Sequence, residues 1–146
     1  DVSDKGLPLT PLSGREGNVV ANNIIEGNKK KLQVPVTPSV VYTLPNLASV
    51  GYSEEEAKSR YKNVVVNFES ATEWFNAKRI NAPVYAYKII LNERTGIIVG
   101  AHLIGPDAGE TINLFTMAIN QGMTAKQIKQ TIFTYPSWSN DIKSMV

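Results

Sequence analysis

The feature of this sequence that most constrains the fold is a pair of β-rich runs joined by a short polar turn. The runs span residues 84–92 and 97–104, and both are rich in β-branched and aromatic side chains. The turn between them, residues 92–96 with the sequence NERTG, ends in the glycine that a bulged or longer hairpin loop requires. We therefore expect the two runs to form neighbouring antiparallel strands.

Shorter patterns before this hairpin predict the rest of the sheet. Residues 40–42, 48–52 and 64–68 are β-branched or aromatic runs, and residues 73–78 have weak helical spacing that predicts a short helical turn. With the hairpin, these runs predict an antiparallel sheet of four to five strands. The predicted fold class is α+β, a two-layer sandwich in which helices pack on one face of the sheet.

Helix signals are clearest in the second half of the chain. Ser53 and Thr124 each open the capping-box pattern, in which a Glu or Gln follows three residues later. Residues 108–121 carry apolar side chains at helical spacing, and Gly122 ends that run. Ser139 is predicted to cap a final helical turn. The buried stripe of the long helix is predicted to consist of Ile112, Phe115, Ala118 and Ile119.

The first part of the chain is organised differently. Residues 10–26 predict a helix, with Thr10 as its cap, Pro11 in its first turn and Gly27 after its end. The connector that follows is basic and then carries two prolines, which disfavour both a helix interior and a central strand. We therefore expect two parts, residues 1–34 and residues 35–146.

Composition excludes several kinds of chemistry. The 146 residues are 42% apolar and 19% charged, and the formal charge of +2 gives no basis for nucleic-acid binding. The absence of cysteine excludes disulfides, thiolate zinc sites and a thiol nucleophile within this chain. His102 is the single histidine and has no partner at ligand spacing, so no metal site is expected. No run approaches the roughly 20 apolar residues of a membrane helix, and no signal-peptide pattern is present, so we expect no membrane association and a cytoplasmic location.

Four stretches of the sequence occur in an order and spacing typical of one protein family. They are residues 37–57, 100–113, 122–124 and 135–137, and they include TPSVVYT, ASVGYSEEEA, GAHLIG and YPS. Together they resemble the C-terminal dimerisation domain of the pyridine nucleotide-disulfide oxidoreductases, a group that includes glutathione reductase, dihydrolipoamide dehydrogenase and mercuric reductase.

The resemblance implies different roles for the two parts of the chain. Residues 35–146 would be a dimerisation domain, and residues 1–34 would be the C-terminal remnant of an FAD-binding region. The implied partner is a second copy, and the dimerisation domain would complete the active site of that copy. FAD is implied as the cofactor of the intact parent enzyme, and NAD(P)H as its co-substrate.

The resemblance also assigns three residues to the flavin of the intact parent. Asp1 matches an aspartate whose carboxylate accepts a hydrogen bond from the ribityl chain of FAD. Leu9 and Thr10 match the start of a helix whose first backbone donors face the flavin ring, where a helix N-terminus would stabilise negative charge on a reduced flavin. For the isolated chain the alternative is an ordinary terminus and an ordinary helix cap, because the rest of the FAD pocket is not in this sequence.

The chain departs from the best-known members at the position of their catalytic histidine. Tyr135 occupies that position, and Asn140 occupies the position of the glutamate that orients the histidine, with Asp141 one step further. A phenol has a reference pKa of about 10, so a tyrosine can donate a proton or a hydrogen bond but is a poor base. Three roles for Tyr135 therefore stay open: a donor to the electron acceptor, a ring that shapes or closes the acceptor pocket, or a packed side chain without a chemical part.

Two functional hypotheses from different classes follow. In the first, the chain is the dimerisation domain of an FAD- and NAD(P)H-dependent, glutathione reductase-like flavoenzyme; the parent is an oxidoreductase, and the isolated chain is expected to be inactive. In the second, it is a free-standing, non-catalytic dimerisation module. A start within the flavin motif favours the first. The acceptor stays open between glutathione, another disulfide, a quinone and a metal ion, although the C-terminal cysteines of mercury-specific enzymes are absent. The nicotinamide preference is also open.

Overall fold

The computed structural model describes residues 8–146, and these form two compact units, one ending at Pro35 and the other running from Val36 to Val146. The first unit contains a single long helix in its described part, α1 (Thr10–Glu26). Its N-cap is Leu9 and not Thr10, so the predicted threonine cap is wrong. The helix has the predicted bounds, but Thr10 is its first residue and not its cap, because the Leu9 carbonyl already accepts a hydrogen bond from the Ser13 amide, at 2.9 Å.

The second unit contains a five-stranded antiparallel sheet with five helices in the described chain. The strands are β1 (Ser39–Val41), β2 (Asn46–Gly51), β3 (Val64–Ser70), β4 (Ala86–Asn92) and β5 (Ile98–Gly105). The helices are α2 (Glu54–Arg60), α3 (Phe75–Arg79), α4 (Ala108–Asn120), α5 (Ala125–Gln130) and α6 (Trp138–Met145). The spatial order of the strands is β1-β2-β5-β4-β3, so β5 lies at the centre.

The predicted hairpin is present and its turn is held locally. The Gly96 amide donates to the Asn92 carbonyl at 2.8 Å, and the Asn92 side-chain oxygen accepts from the amides of Arg94 and Thr95. Gly96 has φ of 68°, the left-handed conformation that favours glycine. One feature was not predicted: the β4–β5 register shifts between Ile90 and Leu91, the irregularity of a β-bulge.

The main core lies between one face of the sheet and helices α4, α5 and α6. The α4 stripe predicted from its spacing is confirmed, with Ile112, Phe115 and Ala118 buried and Ile119 packed against the same cluster. The α+β sandwich is thereby confirmed. Helix α2 is an exception to the grouping of helices on one face, since its Ala57 packs in a separate small cluster with Ile90 and Val99. Successive residues of a strand point to opposite faces, so Ile89 joins the main core and Ile90 the smaller one.

Both predicted capping boxes are confirmed. At α2 the Ser53 hydroxyl accepts from the Glu56 amide at 3.2 Å, and the Glu56 carboxylate accepts from the Ser53 amide at 2.8 Å. At α5, Thr124 and Gln127 make the same reciprocal pair. These bonds satisfy amides that the first helical turn would otherwise leave unpaired.

Candidate functional site

Tyr135 lies in the segment between α5 and α6, on the surface of the second unit. Its side chain is 67% exposed, and its ring packs against that of Phe75, which is 54% exposed. The ring centroids are 5.7 Å apart and the planes are inclined by 32°. No hydrogen bond within residues 8–146 engages the Tyr135 hydroxyl.

The chain immediately after Tyr135 is fixed by the start of α6. Ser137 is the N-cap, and its hydroxyl accepts from the Asn140 amide at 3.2 Å and donates to the Thr134 carbonyl at 2.5 Å. The predicted cap, Ser139, is therefore wrong, because the helix starts at Trp138 and Ser139 lies inside its first turn. Neither Ser137 nor Ser139 is followed three residues later by the Glu or Gln of a capping box, so that pattern does not distinguish the two caps.

The structure does not join the two residues predicted to replace the catalytic pair. Asn140 lies in the first turn of α6, and its recorded bonds run from its backbone amide to Ser137. Among the described residues, no hydrogen bond or ring contact links the side chains of Tyr135 and Asn140. Any role for the Asn140 side chain opposite Tyr135 stays a prediction.

A buried polar cluster lies beneath this segment and was not predicted. Asn76 of α3, Tyr85 and Asp141 of α6 are all buried. The Asn76 side-chain amide donates to Asp141 Oδ1 at 3.0 Å, and the Tyr85 hydroxyl donates to Asp141 Oδ2 at 3.1 Å. The same Asn76 amide donates to the Ser137 carbonyl at 3.0 Å. One α3 side chain therefore holds both the cap and the first turn of α6.

Burial sets the protonation of this cluster. Burial raises the pKa of Asp141 above its ordinary value of 3.8, and the hydrogen bonds from Asn76 and Tyr85 oppose that rise. Burial, with the charge of Asp141 beside it, raises the pKa of the Tyr85 hydroxyl well above its usual range. Tyr85 is consequently a permanent donor to Asp141.

The cluster makes stability depend on pH in a defined direction. Because the folded-state pKa of Asp141 is raised, its contribution is complete below a pH of about 3.8 and is lost as the pH rises through the folded value. Asp141→Asn removes this titration, so the variant should gain stability relative to the original chain between acid and neutral pH. The gain should be about 1.4 kcal/mol for each unit by which the pKa is raised.

Urea titrations of both proteins across this pH range measure the effect as a difference in the free energy of unfolding. A difference that stays constant with pH would show that Asp141 titrates alike in the folded and unfolded chains.

Aromatic packing ties the same region to the sheet. The Tyr85 ring meets Trp138 of α6 edge to face at 5.0 Å between centroids, and Trp74 at 6.2 Å. Edge-to-face pairs at these distances are the favoured geometry for aromatic rings. Trp138 also packs against the main core, so α6 is anchored by both apolar and polar contacts.

One signal in the sequence could have revealed Asp141. Residues 138, 141, 142 and 145 have the i, i+3, i+4, i+7 spacing of a single helix face, and Ile142 and Met145 are fully buried. A carboxylate on such a face requires partners within the core. Its partner Asn76 gives no comparable signal, because it is 65 residues away in sequence.

The first unit contains two of the residues assigned to the flavin by resemblance. Leu9 is the N-cap of α1 and makes no side-chain cap, and Thr10 is the first residue of the helix. The third, Asp1, lies outside the described residues. In the described part of the chain, no group of three or more His, Cys, Asp or Glu side chains could hold a metal ion, and no described helix is long and apolar enough to cross a membrane.

The sheet, its covering helices and the exposed Tyr-Pro segment define an α+β domain of the dimerisation class. The model of the pyridine nucleotide-disulphide oxidoreductase dimerisation domain matches residues 37–146, and the chain belongs to this family. Similar proteins agree with the match. The chain is 33% identical to dihydrolipoyl dehydrogenase of Buchnera aphidicola over 94% of its own length and 29% of that protein.

Two further comparisons differ in length. The HOCl-induced flavoprotein disulfide reductase RclA of Escherichia coli has the same fold, with a TM-score of 0.85 and 26% identity over 96% of this chain and 32% of that one. An uncharacterized 19.7 kDa protein in a mercuric resistance operon of Staphylococcus aureus is 47% identical over 97% of this chain and 78% of that protein. The chain thus spans about a third of the flavoenzymes it resembles, and most of one short relative.

Proposed function

We propose that this dimerisation domain works within an FAD- and NAD(P)H-dependent disulfide reductase-like flavoenzyme, where two copies associate and each presents Tyr135 to the acceptor site of the other. The observation that carries the proposal is an exposed Tyr135, whose hydroxyl makes no hydrogen bond to the described residues 8–146, in a domain whose family model covers residues 37–146. An isologous interface would place two such tyrosines in equivalent positions. The proposal includes a cytoplasmic location and no nucleic-acid or membrane partner.

Exposed apolar side chains support self-association. The second unit exposes large apolar residues beside the Tyr135 segment, on and near its first two strands, on β3 and on α4. Where such side chains adjoin one another, they commonly mark interaction surfaces. The most exposed members are Tyr42, Leu44, Phe68, Met117, Ile132 and Tyr135.

The start of α1 fits the edge of a flavin site. A helix N-terminus carries partial positive charge and amides without intrahelical partners, and α1 has no side-chain cap to occupy them. In the intact parent, Leu9 and Thr10 would hold this end of the helix toward the flavin, with Asp1 as the ribityl partner. A bound flavin would supply two-electron transfer between the nicotinamide and the acceptor. This chain's contribution would be to favour negative charge at one edge of that group.

Tyr135→Phe tests the chemical part of the proposal in the flavoenzyme that carries this domain. Loss of the hydroxyl should slow reoxidation of the reduced enzyme by its acceptor by about 100-fold if Tyr135 gives a proton, and leave reduction by the nicotinamide unchanged. Stopped-flow absorbance at the flavin band separates the two half-reactions. Tyr42→Phe is the matched control, since Tyr42 is 84% exposed.

The variants also separate the roles of Tyr135. Normal reoxidation in Tyr135→Phe with slow reoxidation in Tyr135→Ala would assign the ring to shaping the acceptor pocket. Both half-reactions unchanged in both variants would remove Tyr135 from the chemistry.

A free-standing dimerisation module is the second candidate, and one observation favours it. The 47%-identical relative has a mass of only 19.7 kDa, too small to contain a complete flavoenzyme of the length of the other relatives. The native mass of the polypeptide in its host decides between the two. A dimer of chains several hundred residues long supports the flavoenzyme, and a dimer of chains near 16.0 kDa supports the module.

A further inference from the structure

Two neighbouring residues of α3 contact the Tyr135 segment at two different points. Phe75 packs its exposed ring against the ring of Tyr135. Asn76, the next residue, is buried and contacts the backbone just past Tyr135. A five-residue helix thus holds the segment from outside and from beneath.

The buried contact is a bridge made by a single amide. Asn76 Nδ2 donates to the Ser137 carbonyl and to Asp141 Oδ1, each at 3.0 Å. Ser137 is two residues after Tyr135, and Asp141 is one turn further along α6. The Tyr85 hydroxyl fixes the other oxygen of Asp141 at 3.1 Å, so the carboxylate is held from both sides.

Burial of the Asn76 side chain also has an energetic cost. Its side-chain oxygen is buried and has no hydrogen-bond partner in the described chain. An unpaired buried acceptor is unfavourable, and an apolar side chain of similar size would avoid that penalty. The two hydrogen bonds that its N–H₂ group donates, to Ser137 and Asp141, offset this cost.

We propose that Asn76 and Asp141 are positioning residues, which lock the start of α6 against α3 and thereby hold the exposed ring of Tyr135 in one orientation against Phe75. Functional groups must be held within a fraction of an ångström by packed and hydrogen-bonded neighbours to act reproducibly. The lock itself follows from the geometry of this chain. Its use at a partner's acceptor site rests on the proposed function.

The lock is tested in the 146-residue chain with 3-fluorotyrosine and fluorine NMR. Tyr135→Phe identifies the Tyr135 signal by its loss. Asp141→Ala removes the two carboxylate oxygens that accept from Asn76 and Tyr85. The Tyr135 signal should therefore move to the position of a solvent-exposed tyrosine and sharpen. Asp141→Asn keeps the shape and an acceptor for Asn76, and Ser144→Ala alters an exposed position of the same helix. In both of these the signal should stay in place.

Asn76→Ala provides a second variant because it leaves the bond between Asp141 and Tyr85 intact. Near-ultraviolet circular dichroism of the two tryptophans verifies that each variant is folded. A released Tyr135 signal in both folded Asn76→Ala and folded Asp141→Ala supports the lock. An unmoved signal in a folded variant of either kind overturns it.

A kinetic measurement separates this inference from the proposed function. In the flavoenzyme, Asp141→Ala combined with Tyr135→Ala should reoxidise no more slowly than Tyr135→Ala alone, since Asp141 acts through the side chain of Tyr135. An additional tenfold loss in the double variant would contradict a positioning role. Normal kinetics in both Tyr135→Phe and Tyr135→Ala, together with a released signal in Asp141→Ala, would leave the lock standing and remove Tyr135 from the proposed function.

Discussion

Gly100→Ala is expected to destabilise the second unit by on the order of 4 kcal/mol or more. Gly100 of β5 pairs with Gly51 of β2, and a Cβ at this position would collide with the carbonyl oxygen of Tyr52. It would also lie 3.1 Å from the Tyr52 carbonyl carbon and from the Ile90 side chain. The colliding atom belongs to the backbone, which is held by the Tyr52 amide donating to the Val99 carbonyl at 2.9 Å. A clash that no rotamer can relieve belongs to the largest class of single-residue effects.

Gly109→Ala is the matched control. A Cβ there would lie 3.7 Å from the nearest atom of Val40, an ordinary contact, and the change should alter the free energy of unfolding by less than about 1 kcal/mol. Urea unfolding followed by tryptophan fluorescence compares the two variants. Equal stability would show that β2 and β5 do not approach as closely as the Gly51–Gly100 pair indicates.

The second large effect is expected from Phe115→Ala. Phe115 lies on the buried face of α4, is fully buried in the main core and is the largest of the completely buried side chains. Removing a buried phenylalanine ring costs about 3–5 kcal/mol, because transfer free energy is lost and a cavity remains. That cost would be a large part of the stability of a domain this size.

Met117→Ala controls for the change of side chain on the same helix. Met117 is 66% exposed, so its removal should shift the free energy of unfolding by no more than about 0.5 kcal/mol. The two losses, measured by urea titration, should differ several-fold. Comparable losses would mean that α4 presents a different face to the sheet.

The parts of the fold that were predictable depend on neighbouring residues. The β4–β5 hairpin follows from a turn that is closed by hydrogen bonds between residues 92 and 97, and the two capping boxes follow from side chains three positions apart. The face of α4 is likewise fixed by helical spacing. Sequence alone carries this information because each of these features is completed within a few residues.

The unpredicted parts are made by residues distant in sequence. The bridge from Asn76 to Ser137 and Asp141 spans more than 60 residues, and the stack of Phe75 on Tyr135 spans a similar distance. The placement of α2 away from the main helices also depends on distant residues, because Ile90 and Val99 form the surface on which α2 packs only when the sheet is complete. At α6 a local error arose because Ser137 and Ser139 are both plausible caps, and only the contact with Asn76 shows which one the fold uses.

The sequence selected one residue of the candidate site, Tyr135, whose role stays a prediction. Tyr135 was selected through its resemblance to the position of a catalytic histidine, and the structure shows its ring at the surface. The neighbours that orient it could not be selected in the same way, because they come from α3 and from just before β4. Such supporting residues can be identified only from the contacts between packed elements.

The strand order has a consequence for how the chain assembles. Strands β3, β4 and β5 are consecutive both in sequence and in the sheet, so they can pair as soon as each is synthesised. Strand β2 instead pairs with β5, from which it is separated by about a third of the chain. The β1–β2 pair is synthesised first, so one edge of β2 stays unpaired until β3, β4 and β5 have formed. Contacts between such distant segments are slow to form, so this edge is where a newly made chain is most exposed to pairing with a neighbour.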